Sequence, residues 1–199
     1  FTLMAWVRRD GEGVEAGTGN GGIRHVPLVT KGRGETDGTT ADCNYALGFV
    51  GEVLGADFED MDTGGNHPVI GATPLDRGRW YHVAATYDAA RRASGRRAER
   101  LDDATPRYDS IQHFALGTAI NSTGGRAGAF HGALDEVRVY GRALGEAELV
   151  ATMYSSTPTQ SGLLGHFPLE ASEGQVLDAS GQGHHGDATA AGFVSPGPV

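Results

Sequence analysis

Short apolar runs separated by turn residues extend through most of the chain. Six of them have the length and the β-branched and aromatic content that is typical of strands. They span residues 1–7, 26–31, 44–50, 79–87, 111–117 and 130–140. Stretches rich in Gly, Asn, Ser and Thr, such as 17–22 and 121–125, separate these runs and predict tight turns.

One later segment has helical spacing instead. Leu144, Glu148, Leu149 and Met153 follow an i, i+4, i+5, i+9 pattern and predict a helix of about three turns. Many short strands with one short helix predict an all-β fold, either a sandwich or a barrel.

The run 79–87 shows how such a sandwich would form its interior. Hydrophobic and polar character alternates along it, which is the period of a strand with two different faces. Val83, Ala85 and Tyr87 share one face, and we expect that face to point into the sandwich.

Composition limits the classes of function. The chain has 199 residues, with 39% hydrophobic and 21% charged residues, which indicates a globule with a hydrophobic core. The formal charge of −9 argues against nucleic-acid binding. No apolar run is long enough for a transmembrane helix, so we expect no membrane insertion. Phe1 opens directly into a strand-like run without a signal peptide, so we expect the chain to begin within a longer protein or after processing.

The single cysteine and the uneven charge change this picture little. Because Cys43 is the single cysteine, it excludes an internal disulfide and a cysteine zinc cluster, and we interpret it as a half-buried thiol that acts as a small hydrophobe. Residues 34–76 contain nine acids and no Lys or Arg, whereas residues 91–107 contain six arginines. The arginine cluster is either a solvated hairpin or a docking patch for an anionic glycan or an acidic loop.

Five segments in this order resemble a known family. They read FTLMAWV, PLVTKG, NYALGFV, RWYHVAATYD and FHGALDEVRVYGRALGEAEL. The resemblance is to LamG-like jelly-roll domains of the laminin-G, pentraxin and concanavalin A-like superfamily, in their bacterial multi-repeat form, and it covers residues 1 to about 155. It implies an antiparallel jelly-roll β-sandwich with one short helix towards its C-terminal side.

The tail resembles the opening of such a domain placed out of order. Residues 163–186 contain a strand-like run and a glycine-rich loop that the family places before its FTLMAWV-type strand. We therefore divide the chain into a sandwich over 1–157 that lacks its opening strands and an opening segment over 158–199. Either a tandem array or a circular permutation explains this order. We expect residues 163–187 to pair with residues 1–155, within one chain or by strand exchange between chains, because an unpaired edge is unfavourable.

Calcium is the first candidate cofactor, because carboxylates and loop carbonyls suit a hard cation. The resemblance implies Asp135 and Asp178 as side-chain ligands, with Ser180, Gly183 and His185 in the same glycine-rich loop as further candidates. The alternative is that Asp178 caps a turn and Asp135 accepts backbone hydrogen bonds.

A second cation or ligand site is a candidate in the acidic loop 57–66. Of the four carboxylates in this loop, Asp57, Asp60 and Asp62 are the candidate ligands, although the twelve-position pattern of an EF-hand is absent. The alternative is a solvated loop.

Catalysis has little support in the sequence. Some concanavalin A-like sandwiches hydrolyse glycosides with facing carboxylates. Residues 59–62 lack the third alternating acid, and Asp135 and Glu136 fall on opposite strand faces. We therefore expect no enzyme, but a secreted or cell-surface, lectin-like module that binds carbohydrate or an extracellular protein, with calcium. The alternative is a structural spacer or assembly repeat without a small ligand.

Overall fold

The computed structural model describes residues 1–88, 103–170 and 174–189. In chain order the elements are β1 (Thr2–Arg9), β2 (Ala16–Gly17), β3 (Arg24–Lys31), β4 (Tyr45–Val50), β5 (Val53–Phe58), β6 (Val69–Pro74), β7 (Trp80–Thr86), β8 (Phe114–Leu116), β9 (Ala119–Ile120), β10 (Arg126–Ala127), β11 (Gly132–Tyr140), α1 (Glu146–Met153), β12 (Leu163–Phe167), β13 (Gln175–Val176) and β14 (Gly186–Asp187). They belong to two compact units.

The first unit is built on a four-stranded antiparallel sheet in the order β12-β11-β1-β7. It comprises the described residues of 1–8, 78–88 and 132–199. The tail strand β12 pairs with β11, with Val137 opposite Phe167. The short strands β13 and β14 form a separate two-stranded pair.

Strand β1 is apolar on both faces because it lies in the middle of that sheet. On one face, Met4 packs in a buried cluster with Tyr140, Leu144, Leu149 and Leu163, so α1 covers this face of the sheet. The Trp6 indole N–H donates to the carbonyl of Met153 at 3.0 Å, which fixes the end of the helix.

The second unit comprises Arg9 to Arg77 with the described residues up to His131. Its main sheet has the order β2-β3-β4-β5-β6, and β8 also pairs with β3. A two-residue turn joins β4 to β5, with Val50 opposite Val53. Gly51 in this turn has φ +61°, the left-handed conformation that such hairpin turns require.

The predicted elements are largely present. All six predicted runs contain a strand, although the one expected from residue 111 begins at Phe114. The predicted helix is α1. Val83 is buried as expected, but Ala85 and Tyr87 are only half-buried, and Ala84 on the other face packs against the Met4 cluster. Strands β5 and β6, within the acid-rich stretch, are additional to the prediction.

Candidate functional site

Three buried carboxylates lie at the end of the β4–β5 hairpin, and we call Asp42, Asp57 and Glu59 the acidic cluster. Asp57 lies in β5, and Glu59 follows two positions later, so both side chains leave the same face of the strand. The Glu59 N–H donates to Asn44 O at 3.3 Å, and the Asp42 carboxyl lies beside that of Glu59. Asp42 and Glu59 are 0% exposed and Asp57 is 2% exposed.

The side-chain and backbone donors that bond to Asp57 at short distance converge on one of its two oxygens. Its Oδ2 accepts hydrogen bonds from Thr18 Oγ1 at 2.5 Å, Ile23 N at 3.2 Å and Asn66 Nδ2 at 3.2 Å. Its Oδ1 is buried and has no hydrogen-bond partner in the described part of the chain. Burial raises the pKa of Asp57 above its usual value in spite of these donors.

Glu59 likewise accepts hydrogen bonds from described residues through one carboxylate oxygen. Its Oε1 accepts from Gly38 N and from Arg107 Nε, each at 2.9 Å. Its Oε2 is buried without a hydrogen-bond partner among the described residues. Arg107 is itself buried, with 3% of its side chain exposed, and its Nη1 donates to Asp109 at 2.7 Å. One guanidinium therefore serves the buried Glu59 and the more exposed Asp109.

Asp42 repeats the pattern. Its Oδ1 accepts from Cys43 N at 2.8 Å and Glu35 N at 3.1 Å, whereas no described residue donates to its buried Oδ2. Burial, together with the adjacent Glu59 carboxylate, raises the pKa of Asp42 to about 7. At neutral pH this carboxyl is therefore poised between its acid and its anion.

Cys43 is fully buried beside the cluster. Burial and the charges of Asp57, Asp42 and Glu59 raise the pKa of its thiol well above the ordinary value. The thiol is thus neutral, as expected for a cysteine that acts as a small hydrophobe.

The structure places the three predicted ligands of the loop 57–66, Asp57, Asp60 and Asp62, in different surroundings. Asp57 is part of a strand and of the acidic cluster, whereas Asp62 is exposed. Asp60 Oδ2 accepts from Thr63 N and Oγ1 within its own turn, and its Oδ1 accepts from the distant Thr105 N. The predicted loop 57–66 contains Glu59 and Asn66 but did not name them as ligands, and Asp42 lies outside its bounds. The two-residue spacing of Asp57 and Glu59 was the available signal, since it places two acids on one strand face.

The glycine-rich loop between β13 and β14, which we call the Asp178 loop, provides hydrogen-bond donors for both oxygens of Asp178. Asp178 Oδ1 accepts from His166 N at 3.0 Å and Ser180 N at 2.9 Å. Its Oδ2 accepts from Ser180 Oγ at 2.8 Å and His184 N at 2.9 Å. Burial alone would raise the pKa of Asp178, but these donors lower it to about 2. The carboxylate is thus saturated by protein donors.

The other predicted calcium ligands also lie in the first unit. His185 Nδ1 accepts from the N–H of Asp178 at 3.0 Å, and Gly183 is exposed with φ +78°. Asp135 is buried in β11, and burial together with the neighbouring Glu136 carboxylate raises its pKa to about 6. Because Asp178, Ser180 and His185 already bond to one another, this loop fits a turn-capping arrangement better than a cation cage. Calcium at this loop stays a prediction.

Within residues 1–88, 103–170 and 174–189, no group of three or more His, Cys, Asp or Glu side chains is placed to hold a metal ion. No helix in the described part is long and apolar enough to cross a membrane. Of the six clustered arginines, five (91, 92, 96, 97 and 100) lie outside the described residues. The sixth, Arg107, is buried against Glu59 and is not part of a solvated arginine face.

Tyr108 follows Arg107 and presents its ring to solvent. The residue is 76% exposed, and Ile111 nearby is 60% exposed. The polar side chain of Asp109 lies between them in sequence. An exposed aromatic ring beside polar groups is a surface that can stack on a ligand and also hydrogen-bond to it.

Comparison with known proteins places the chain in a family. A model of the concanavalin A-like lectin/glucanases superfamily, of the laminin G type, matches residues 1–150. No curated protein sequence matches the chain significantly. A crystal structure of a Bacteroides ovatus protein, named as a candidate carbohydrate-binding protein, is similar with a TM-score of 0.56 and 23% identity. That match covers 91% of this chain and 49% of the other, so the chain spans about half of that protein.

Proposed function

Since the chain belongs to the concanavalin A-like lectin/glucanases superfamily and has its antiparallel jelly-roll β-sandwich fold, we propose that it is a non-catalytic carbohydrate-binding module that acts outside the cell. The name of the Bacteroides ovatus neighbour is consistent with this role. The observation that carries the proposal is the exposed ring of Tyr108 beside Asp109, because sugar rings stack on aromatic faces while their hydroxyl groups bond to polar neighbours.

Burial of the carboxylates supports a non-catalytic role. A glycosidase needs two carboxyl groups about 5–9 Å apart that both reach the substrate. Asp42, Asp57 and Glu59 are almost completely buried. Glu136 is engaged by Arg138 and by His166 Nε2 at 2.6 Å, beside the buried Asp135. Neither acidic group presents a pair of carboxylates to a bound glycan.

The experiment is a binding screen of the full chain on an array of plant, microbial and animal oligosaccharides, in calcium and in EDTA. Any glycan that binds is then titrated calorimetrically into Tyr108→Ala and into Tyr154→Ala. Tyr154 is the matched control, because it is 65% exposed but lies at the end of α1 in the other unit.

We expect Tyr108→Ala to weaken binding about tenfold or more, since the stacking contact of one ring is worth about 1–3 kcal/mol. Tyr154→Ala should bind as the parent does. A chain that binds no glycan in either buffer would instead favour the spacer or assembly role, which light scattering would test by the presence of chain-exchanged dimers.

A further inference from the structure

We propose that Asn20 is a site of spontaneous covalent modification, at which the side-chain amide is lost as ammonia and aspartate and isoaspartate are formed. The site lies in the turn between β2 and β3 of the second unit. It does not depend on the proposed carbohydrate binding, because the reaction needs only the Asn20–Gly21 pair and water.

The first argument is exposure. The chain contains four asparagines, and three of them are buried: Asn44 is 5% exposed, Asn66 9% and Asn121 8%. Asn20 is exposed, and it alone of the four is followed by a glycine. Asparagine is a chemically labile residue, and a glycine after it has no Cβ that would hinder its own nitrogen. The labile residue and an unhindered nucleophile thus meet at one exposed turn.

The second argument is the free N–H of Gly21. Gly22 N donates to Gly19 O at 3.3 Å and closes the turn, and Asn20 N donates to Asp37 Oδ1 at 3.2 Å. In the described part of the chain, no group accepts from the N–H of Gly21 and none bonds to the side chain of Asn20. A Cβ on Gly21 would meet no atom within 4 Å. Neither the attacking nitrogen nor the amide it attacks is held by a neighbour.

Two other pairs show what a restrained glycine looks like. An Asp or Asn precedes a Gly at 10–11, 20–21 and 37–38, all of which the structure describes. Gly11 N donates to His131 O at 3.0 Å, and Gly38 N donates to Glu59 Oε1 at 2.9 Å. Such a nitrogen has to give up a hydrogen bond before it can attack. Of the three pairs, Asn20–Gly21 is the one that combines a free N–H with an amide leaving group.

The reaction is a cyclisation followed by hydrolysis. The Gly21 nitrogen loses its proton and bonds to Cγ of Asn20, while the Cγ–Nδ2 bond breaks and Nδ2 leaves with a proton as ammonia. Water then opens the resulting succinimide at one of its two carbonyl carbons. Opening at Cγ yields aspartate. Opening at the backbone carbonyl carbon yields isoaspartate, whose main chain runs through Cβ and is one methylene longer.

The isoaspartate product should weaken the second unit, because the turn has no room for a longer chain. Thr18 N donates to Ile23 O at 3.1 Å across the turn, and Thr18 Oγ1 donates to Asp57 Oδ2 at 2.5 Å. A Cβ on Gly22 would stand 2.6 Å from Asp57 Oδ2 and still closer to Thr18 Oγ1. An extra methylene in the turn therefore displaces Gly22 or opens the hydrogen bond between Thr18 and Ile23.

The test is to incubate the folded full chain in mildly alkaline buffer at physiological temperature for several weeks and to map its peptides by mass spectrometry. We expect the peptide that contains Asn20 to gain the mass difference between an amide and an acid, and to separate into aspartate and isoaspartate isomers on chromatography. Peptides with Asn44, Asn66 and Asn121 should keep their mass. A protein isoaspartate methyltransferase should label the aged chain and not the fresh one.

Asp37→Asn is the matched control, because it creates a second exposed asparagine–glycine pair whose glycine N–H is held by Glu59. Its amide oxygen can still accept from Asn20 N. In the folded variant we expect position 37 to react several-fold more slowly than Asn20, and in urea we expect the two rates to become similar. If Asp37→Asn does not fold, Asp10→Asn takes its place, since the following glycine N–H is held as well.

Asn20→Asp separates the two products, since it carries the new charge on a normal backbone. Its melting temperature should stay close to that of the fresh parent, because surface substitutions usually change stability little. The isoaspartate form of the aged parent should melt about 2–4 °C lower. Equal melting temperatures of that form and of Asn20→Asp would contradict the effect on the turn.

Three outcomes overturn the proposal itself. Asn20 could keep its amide in the folded chain, one of the three buried asparagines could react as fast, or position 37 could react as fast as Asn20 in the folded variant. The last outcome would mean that the hydrogen bond of the glycine N–H does not control the reaction. Failure of the glycan screen would leave all these measurements unaffected.

Discussion

The Asp178 loop and the acidic cluster solve the burial of a carboxylate in opposite ways. Asp178 and Asp42 are both nearly inaccessible to solvent. Four donors from the protein reach the two oxygens of Asp178, and its pKa falls to about 2. Among the described residues, two backbone donors reach one oxygen of Asp42, the Glu59 carboxylate lies beside the group, and burial together with that carboxylate raises the pKa of Asp42 to about 7.

The difference shows that burial alone does not decide whether an acid is an anion. Burial raises the pKa of both groups, and the direction of the net shift follows the number of donors aimed at the charged form. In the Asp178 loop, both carboxylate oxygens accept hydrogen bonds from the protein. The acidic cluster keeps buried carboxylate oxygens that no described donor reaches.

The largest expected effect comes from removing Arg107, the one cation among the described residues that pairs with the acidic cluster. Arg107→Met should lower the free energy of unfolding by about 3–5 kcal/mol in EDTA, because it leaves a third buried carboxylate uncompensated. Urea denaturation followed by circular dichroism measures this loss. The Asp178 loop has no such dependence, since its donors are mostly backbone N–H groups.

Arg24→Met is the matched control for Arg107→Met. Arg24 pairs with Glu15 at 3.3 Å, but both side chains are largely exposed. Such surface pairs contribute about 0–1 kcal/mol. Equal small losses in the two variants would mean that Glu59 is not held as an anion by Arg107, and the comparison above would be wrong for the cluster.

Replacing aspartate by asparagine should affect stability differently in the Asp178 loop and in the acidic cluster. Asp178→Asn should destabilise the chain by about 2 kcal/mol, because its amide group turns an N–H donor towards backbone N–H groups and leaves them unbonded. Asp42→Asn in EDTA should be neutral or slightly stabilising, because it removes a like charge and its amide can donate to Glu59. Thermal and urea unfolding of both variants measure the pair.

Equal losses at the two positions would show that Asp42 is as well satisfied as Asp178. Asp187→Asn supplies a baseline, since Asp187 is exposed in the same tail and should change stability by less than about 0.5 kcal/mol.

The contrast also explains what the sequence could predict. Strands β1, β7 and β11 and helix α1 were predicted because their apolar positions repeat locally. The Asp178 loop was found because its parts lie within a few consecutive residues. Strand β5 was missed because Gly55, Asp57 and the acids after it break the apolar alternation that marks a strand.

The acidic cluster could not be read as a unit for a different reason. Its contacts join Thr18, Asp42, Asp57, Asn66 and Arg107, which strand pairing brings together from widely separated positions. The run of acids from 34 to 76 looked like a charged surface, and the two-residue spacing that relates Asp57 to the buried Glu59 also relates Asp60 to the exposed Asp62. Burial of an acid is a property of the sheet and not of the local sequence.

The smallest expected effect is a difference in pH dependence. The folded pKa of Asp42, about 7, exceeds its ordinary value of 3.8, so the folded chain binds more protons than the unfolded chain between these values. Stability from this group therefore falls as pH rises towards and through 7. Between pH 6 and 8 the loss amounts to about 1 kcal/mol relative to Asp42→Asn, which cannot titrate there.

Urea unfolding of the parent and of Asp42→Asn across this pH range, in EDTA, measures the difference. The groups that act on Asp42 (Glu59, with Asp57, Cys43, Lys31 and Arg107 around it) are present in both chains, as is His25, whose buried ring has a pKa lowered to about 4. Their own titrations largely cancel in the comparison. Parallel curves in EDTA would show instead that Asp42 keeps an ordinary pKa and that its second oxygen has a donor after all.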